Sequence, residues 1–313
     1  MANKITIIGA GSVGSTIAYS LANRTIASDI VIIDINKSKA EGEAMDILQG
    51  TAFRDPITVS AGDYADAKGS SIVIIACGIS RKPGQTRLDL TRTNVGILRS
   101  IIPEIVKEAP DAKYIIVSNP VDILTYVFTK ESGLPESQII GTGTLLDTAR
   151  LRSCLAEMFS ISQRNIHAFV FGEHGDSSFV PWSMSNVAGV KMDKYHQNYH
   201  KGGTAPMNYD DVLSYVRTSG GQIIKNKGAT FYAIAMSVCR LCEVLTGAYD
   251  SVITVSSLMH GEYGIDDVCL SVPCIVGPDG LRARIELDLT DEEIGKLNAS
   301  ADALKSVIKD LEL

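Results

Sequence analysis

Short apolar runs rich in Ile and Val alternate, through roughly the first 143 residues, with longer stretches in which apolar side chains recur every three or four positions. The first pattern is that of strands buried on both faces, the second that of helices with one apolar stripe. Strands are predicted over residues 4–8, 30–34, 57–60, 72–76, 114–118 and, from a weaker run, 138–140. Helices are predicted over 13–23, 38–49, 88–107 and 121–130, with Pro103 expected to kink or split the third because it lacks a donor and crowds the preceding turn. Strands alternating with helices specify βαβ units, so the expected fold is α/β, built on a six-stranded, doubly wound parallel sheet of the Rossmann type.

Near residue 144 the rhythm changes. A helix over 145–158, strands near 167–171 and helices over 211–226 and 229–245 imply a second, α+β domain, dividing the chain into residues 1–143 and 144–313. The stretch YHQNYHKGGTAPMNYDD lacks helical spacing and reads as an exposed loop. Within it His196 and His200 read as solvated side chains rather than as metal ligands one turn apart, because Gly202 and Gly203 disfavour a helix.

Composition excludes several classes. With 45% hydrophobic and 21% charged residues over 313 positions, the chain can bury large cores, and disorder is ruled out. A net charge of −7 with no basic cluster argues against nucleic acid as a partner. The apolar run at the N-terminus is too short for a signal core or a membrane span, so a cytoplasmic location is expected. The six cysteines sit in apolar context, and the CxxC of Cys239 and Cys242 lies on what reads as a continuous apolar helix face, so neither disulfides nor a metal site are expected.

The motif Gly9-Ala-Gly11-Ser12-Val13-Gly14 follows the first predicted strand and opens the first predicted helix. In that context Gly9 allows a tight turn, Gly11 leaves room for a pyrophosphate, and Gly14 lets helix and strand approach, with the helix N-terminus holding anionic oxygens. Asp34, twenty residues after Gly14, is placed to accept hydrogen bonds from the adenosine ribose. Its charge repels the extra phosphate of NADP and no arginine follows it directly, so NAD is the predicted cofactor.

Oxidation of a secondary alcohol by hydride transfer also releases a proton, and a histidine is the side chain suited to carrying it near neutral pH. His174, between two glycines in FGEHGDS, is the candidate, and Asp147 in GTGTLLDTARLR is the candidate carboxylate that orients it. Arg150 lies one helical turn beyond Asp147. It could grip a substrate carboxylate with two parallel bonds, although on spacing alone an i,i+3 surface pair with Asp147 is the commoner arrangement. The segment from Cys77 to Arg87, rich in Gly and Pro, follows the fourth predicted strand and would bring Arg81 or Arg87 over a ligand if it closed as a lid.

Seven segments, IGAGSVGS, VIIDI, GISRKPGQTRLDL, VSNPVDI, GTGTLLDTARLRS, FGEHGDSSFVPWS and KNKGATFY, resemble in sequence and order the lactate and malate dehydrogenase family, over nearly the whole chain. The resemblance implies an NAD-dependent 2-hydroxy acid dehydrogenase that forms homodimers or homotetramers. It assigns His174 as acid/base, Asp147 as its partner, Arg150 as carboxylate clamp and Arg87 as the residue that polarises the substrate carbonyl. Asn119 would lie near the carbonyl oxygen and nicotinamide, and Thr230 beside the variable group of the substrate. In lactate-type members Gln usually stands where this chain has Arg81. A guanidinium closed over pyruvate would be desolvated without an anion to pair, which costs several kcal/mol. Malate is therefore the expected substrate, with L-lactate as the alternative. Arg152 and His167 occupy positions that bind fructose 1,6-bisphosphate in bacterial lactate dehydrogenases, and form a candidate effector site. Two other classes compete: a non-catalytic NAD sensor, which has no need of His174, Asp147 and three arginines, and a related NAD-using glycosidase, which needs a metal site of Cys and His ligands that the chain lacks.

Overall fold

A computed structural model describes residues 3–53, 55–79, 84, 86–199 and 207–313. In chain order the elements of the first half are β1 (Lys4–Ile8), α1 (Ser12–Asn23), β2 (Asp29–Ile33), α2 (Lys37–Gly50), β3 (Thr58–Ala61), β4 (Ile72–Ile75), α3 (Arg87–Glu108), β5 (Lys113–Ile116), α4 (Val121–Glu131) and β6 (Ile139–Gly141). These strands are parallel and lie in the order β3-β2-β1-β4-β5-β6. The order reverses beside β1, and ligands of open α/β sheets bind in the crevice at the carboxyl ends of the strands there. Ile5, Ile7, Ile30, Ile32, Ile72, Ile74 and Ile75 are all fully buried, as strands covered by helices on both faces require.

The second half contributes α5 (Leu145–Phe159), β7 (Ile166–His167), β8 (Asn186–Val187), β9 (Val190–Lys191), α6 (Met192–Tyr199), α7 (Tyr209–Lys227), α8 (Tyr232–Thr246), β10 (Ser251–His260), β11 (Asp266–Gly277), β12 (Gly280–Arg284) and α9 (Asp291–Asp310). The sheet does not stop at the six predicted strands. The antiparallel ladder β10-β11-β12 joins it through the pairing of Ser256 with Gly141, making nine strands in one sheet. A second core, around Leu151, Leu155, Phe159, Val170 and Val216, fills the space between α5, α7 and the small sheet β7-β8-β9. Among the described residues no helix is long and apolar enough to cross a membrane.

Two local expectations are corrected. Pro103 lies inside an unbroken α3, with its ring on the exposed face, where the carbonyl it displaces can turn to water. The segment read as a loop begins with the helix α6, and His196 is buried on its inner face, edge-on to Phe159 with ring centroids 6.1 Å apart. His200 and residues 201–206 lie outside the described residues. Cys239 and Cys242 are both buried within α8.

Candidate active site

Each glycine of the first turn has its own physical reason. Gly9 adopts φ +112°, and a Cβ there would meet the backbone of Ala76 and Cys77 at 2.8 Å, because the turn crosses the end of β4. A Cβ on Gly14 would sit 1.8 Å from the Gly9 carbonyl oxygen, so only glycine lets α1 pack against the turn. A Cβ on Gly11 would meet nothing within 4 Å: the space beside the N-terminus of α1 is open. That helix, led by the exposed Ser12 and half-buried Val13, has no side-chain cap at Gly11. Its positive end thus faces a cradle that suits a pyrophosphate. Asp34 stands over the same turn, accepting the Ala10 N–H at 2.6 Å and the Asn36 N–H at 2.8 Å. The next cation along the chain, Lys37, is paired with Asp63 at 2.6 Å. Gly14→Ala should cost roughly 3 kcal/mol by overpacking, whereas Gly11→Ala should keep near-wild-type thermal stability and lose NAD affinity. Thermal melts with NADH fluorescence titrations of both variants separate packing from binding, and a Gly11→Ala protein that binds NADH normally would sink this account.

The loop that presents His174 is pinned from three sides. Gly172 exchanges backbone hydrogen bonds with Ser271 of β11 at 2.9 and 3.0 Å, Glu173 N–H donates to Ser300 Oγ of α9 at 2.8 Å, and His174 N–H donates to Asp122 Oδ2 of α4 at 2.7 Å. Such anchoring fixes the backbone from which the imidazole projects. Its Nδ1 lies 2.5 Å from Asp147 Oδ2, so the carboxylate selects the tautomer with hydrogen on Nδ1 and leaves Nε2 as the atom able to exchange a proton. The other oxygen of Asp147 accepts from Arg150 Nη1 at 2.8 Å. One buried carboxylate thus holds both a base and a guanidinium, and the i,i+3 pair that spacing suggested is real but lies inside the site, with Arg150 only 14% exposed.

Charge in this cluster follows from solvent exclusion against partners. Desolvation disfavours the charged His174 ring, but the Asp147 carboxylate, its hydrogen bond and the charge of Asp122 outweigh it and leave the pKa above its ordinary value. Burial likewise pushes Asp147 up, and His174 and Arg150 overcome it to hold the carboxyl below the usual range.

A cleft of about 530 Å³ opens beside these groups, lined among others by Arg87, Asn119, Asp122, His174 and Asp176. Arg87, at the start of α3, is paired with Asp176 of the histidine loop at 2.7 Å. With side chains 73% and 77% exposed, that pair is of the surface type and costs little to break. Asn119 joins the site from the end of β5, its carbonyl accepting from Asn94 at 2.8 Å, before a cis bond to Pro120. Thr230 lies half-buried in the connection between α7 and α8. Arg152 and His167 are elsewhere, on α5 and β7. Arg152 donates to the Ala168 carbonyl at 3.0 Å and stacks over Phe169, and burial lowers its pKa. Arg81 lies outside the described residues. Missed from the sequence was Asp122, buried on α4 with both oxygens engaged; its signal was an acid amid the apolar run VDILTYVF.

A dinucleotide cradle at the carboxyl edge of a doubly wound sheet, leading to a carboxylate-bound histidine, defines an NAD-dependent dehydrogenase. Residues 3–141 match the family model for the NAD binding domain of lactate/malate dehydrogenase, and residues 144–312 that for its alpha/beta C-terminal domain. The chain is 49% identical to L-lactate dehydrogenase 1 of Clostridium acetobutylicum over 96% of both proteins, and 46% identical to L-lactate dehydrogenase of Acetivibrio thermocellus over 99% of this chain and 98% of that one. A crystal structure of minor L-lactate dehydrogenase from Enterococcus mundtii in a ligand-bound form aligns with a TM-score of 0.93 at 38% identity, covering 99% of this chain and 98% of that chain. The chain belongs to the lactate/malate dehydrogenase family. The expectation of malate is overturned: these full-length relatives are L-lactate dehydrogenases. That expectation rested on one side chain, and its physical premise was desolvation of Arg81.

Proposed function

We propose that the protein interconverts L-lactate and pyruvate with NAD. The observation that carries this reading is the single carboxylate, Asp147, that holds both His174 and Arg150, a proton carrier and an anion clamp set side by side; the names of the full-length relatives support lactate among 2-hydroxy acids. In this reading Arg150 binds the substrate carboxylate and Arg87, released from Asp176, turns to the C2 oxygen. Neutral His174 accepts the hydroxyl proton at Nε2 as the C2 hydride leaves, and Asp147 balances the imidazolium formed. Gly9, Gly11, Gly14, Asp34 and Asn119 would hold NAD, which would supply the hydride acceptor when bound. In the reverse direction, protonated His174 returns the proton to the pyruvate oxygen.

Exposed apolar side chains on neighbouring helices, Tyr19 of α1, Met45 and Leu48 of α2 and Tyr232 and Met236 of α8, support assembly with a second copy of the chain. The test of function compares kcat/KM for pyruvate and oxaloacetate with NADH. Pyruvate should be preferred by at least about tenfold, about 1.4 kcal/mol of transition-state discrimination; a preference for oxaloacetate would overturn the assignment of lactate.

A further inference from the structure

Asp147 is the partner that the chemistry of His174 demands, yet a second carboxylate reaches the same residue through its main chain. Asp122, only 2% exposed at the edge of the cleft, gains little support for its charge from water. Instead it accepts the main-chain N–H of His174 at 2.7 Å and the hydroxyl of Ser256 on β10 at 2.6 Å. A neutral amide in its place could still accept the His174 N–H through its single oxygen and meet the Ser256 hydroxyl through its NH2, so hydrogen bonding alone does not call for a charge whose ionisation is costly in such a place. We propose that Asp122 is a positioning residue for the proton carrier: it fixes the backbone of His174 through one oxygen and, as a nearby anion, shares with Asp147 the stabilisation of the imidazolium. This rests on the reading of His174 as the proton carrier.

The surroundings of the pair support the division of labour. His174 faces Asp147 and Arg150 from α5 and Asp122 from α4, while Arg87 and Asp176 lie at the open side of the cleft. Asp122 faces Glu173 in the loop, Ser256 on β10 and Cys269 on β11. Burial, followed by relief from Ser256 and the His174 N–H, leaves its pKa raised to about 6. Near neutral pH the side chain is therefore charged, and on acidification it protonates in the range where His174 carries its proton, so Asp122 and His174 titrate as a coupled pair. Arg150 opposes the positive ring, and two carboxylates against one guanidinium leave the balance in favour of the imidazolium.

The experiment is a histidine NMR titration of the apo enzyme, labelled at its five histidines, with the His174 signal assigned by its loss in His174→Asn. Asp122→Asn keeps an amide oxygen for the His174 N–H while deleting the charge, and Ser256→Ala keeps the carboxylate but removes a donor that favours its ionised form. In Asp122→Asn the His174 midpoint should fall by about one unit, a tenfold loss of imidazolium above it, and the alkaline limb of kcat/KM for pyruvate reduction should shift down in parallel. Ser256→Ala should lower the midpoint by less, and it decides the matter should Asp122→Asn fail to fold. A His174 midpoint unmoved in a folded variant overturns the proposal and leaves Asp122 as a backbone anchor. Because the titration reads the ring without turnover, wild-type protein inactive on pyruvate would refute the functional reading and leave this test standing.

Discussion

His174→Asn is expected to lower kcat for pyruvate reduction by on the order of 10³–10⁴-fold while NADH binds with nearly unchanged affinity. Asn is the informative replacement because its amide can donate to Asp147 as Nδ1 does, preserving the buried carboxylate's partner. What it lacks is a titratable atom at the position of Nε2. The wild-type pH profile supplies the sign. The His174 pKa is held above its ordinary value by Asp147 and Asp122 against desolvation, so the protonated form that reduction needs persists above the usual histidine range and is lost as pH rises through the raised value. Oxidation needs the neutral ring and should rise through the same window. Stopped-flow kinetics with NADH fluorescence titration checks both, and a His174→Asn enzyme retaining more than about a tenth of its rate, or a reduction rate flat from pH 6 to 9, would remove His174 from the proton transfer.

The fold was legible in proportion to how strictly its segments obey one period. β1 is an isoleucine-rich run, KITII, buried on both faces, and α1 opens at glycines whose roles are steric, so their boundaries followed from the sequence to within a residue. The antiparallel ladder β10-β11-β12 was not legible. Its buried positions include Thr254, Ser256, Ser257 and Ser271 beside Cys269 and Cys274, so polar and apolar letters fail to alternate even though both faces are covered. α6 was hidden by the glycines that follow it, while its buried residues, Met192 and His196, lie only four apart on one short face.

The site divides the same way. Gly9, Gly14, Asp34 and His174 announce themselves by local context, because turn geometry and proton chemistry restrict the residue type. Asp122 does not. An acid in the first turn of a helix is what the helix dipole favours anyway, and its partners, His174 and Ser256, come from 52 and 134 positions away. The substrate preference is not legible in Arg81 for a related reason: the charge of a residue specifies a partner only once its solvation is fixed.

Arg150 carries the other large effect, and Arg150→Lys isolates it. Lysine keeps the positive charge and, from the same turn of α5, can still reach Asp147. It cannot present two parallel N–H donors in a plane, and the clamp on a substrate carboxylate depends on that fork. Losing one charge-assisted hydrogen bond of this kind is worth about 1.5–3 kcal/mol, so KM for pyruvate should rise roughly 10²-fold with NADH affinity unchanged. Since Arg150 also depresses the imidazolium of His174, Arg150→Met should combine a larger loss of substrate binding with a His174 midpoint shifted upward, whereas Arg150→Lys should leave that midpoint in place. The two variants thus separate the fork from the charge. If Arg150→Lys binds pyruvate within about threefold of wild type, the guanidinium is only the i,i+3 partner of Asp147, and the carboxylate clamp must be sought among the other cations of the cleft.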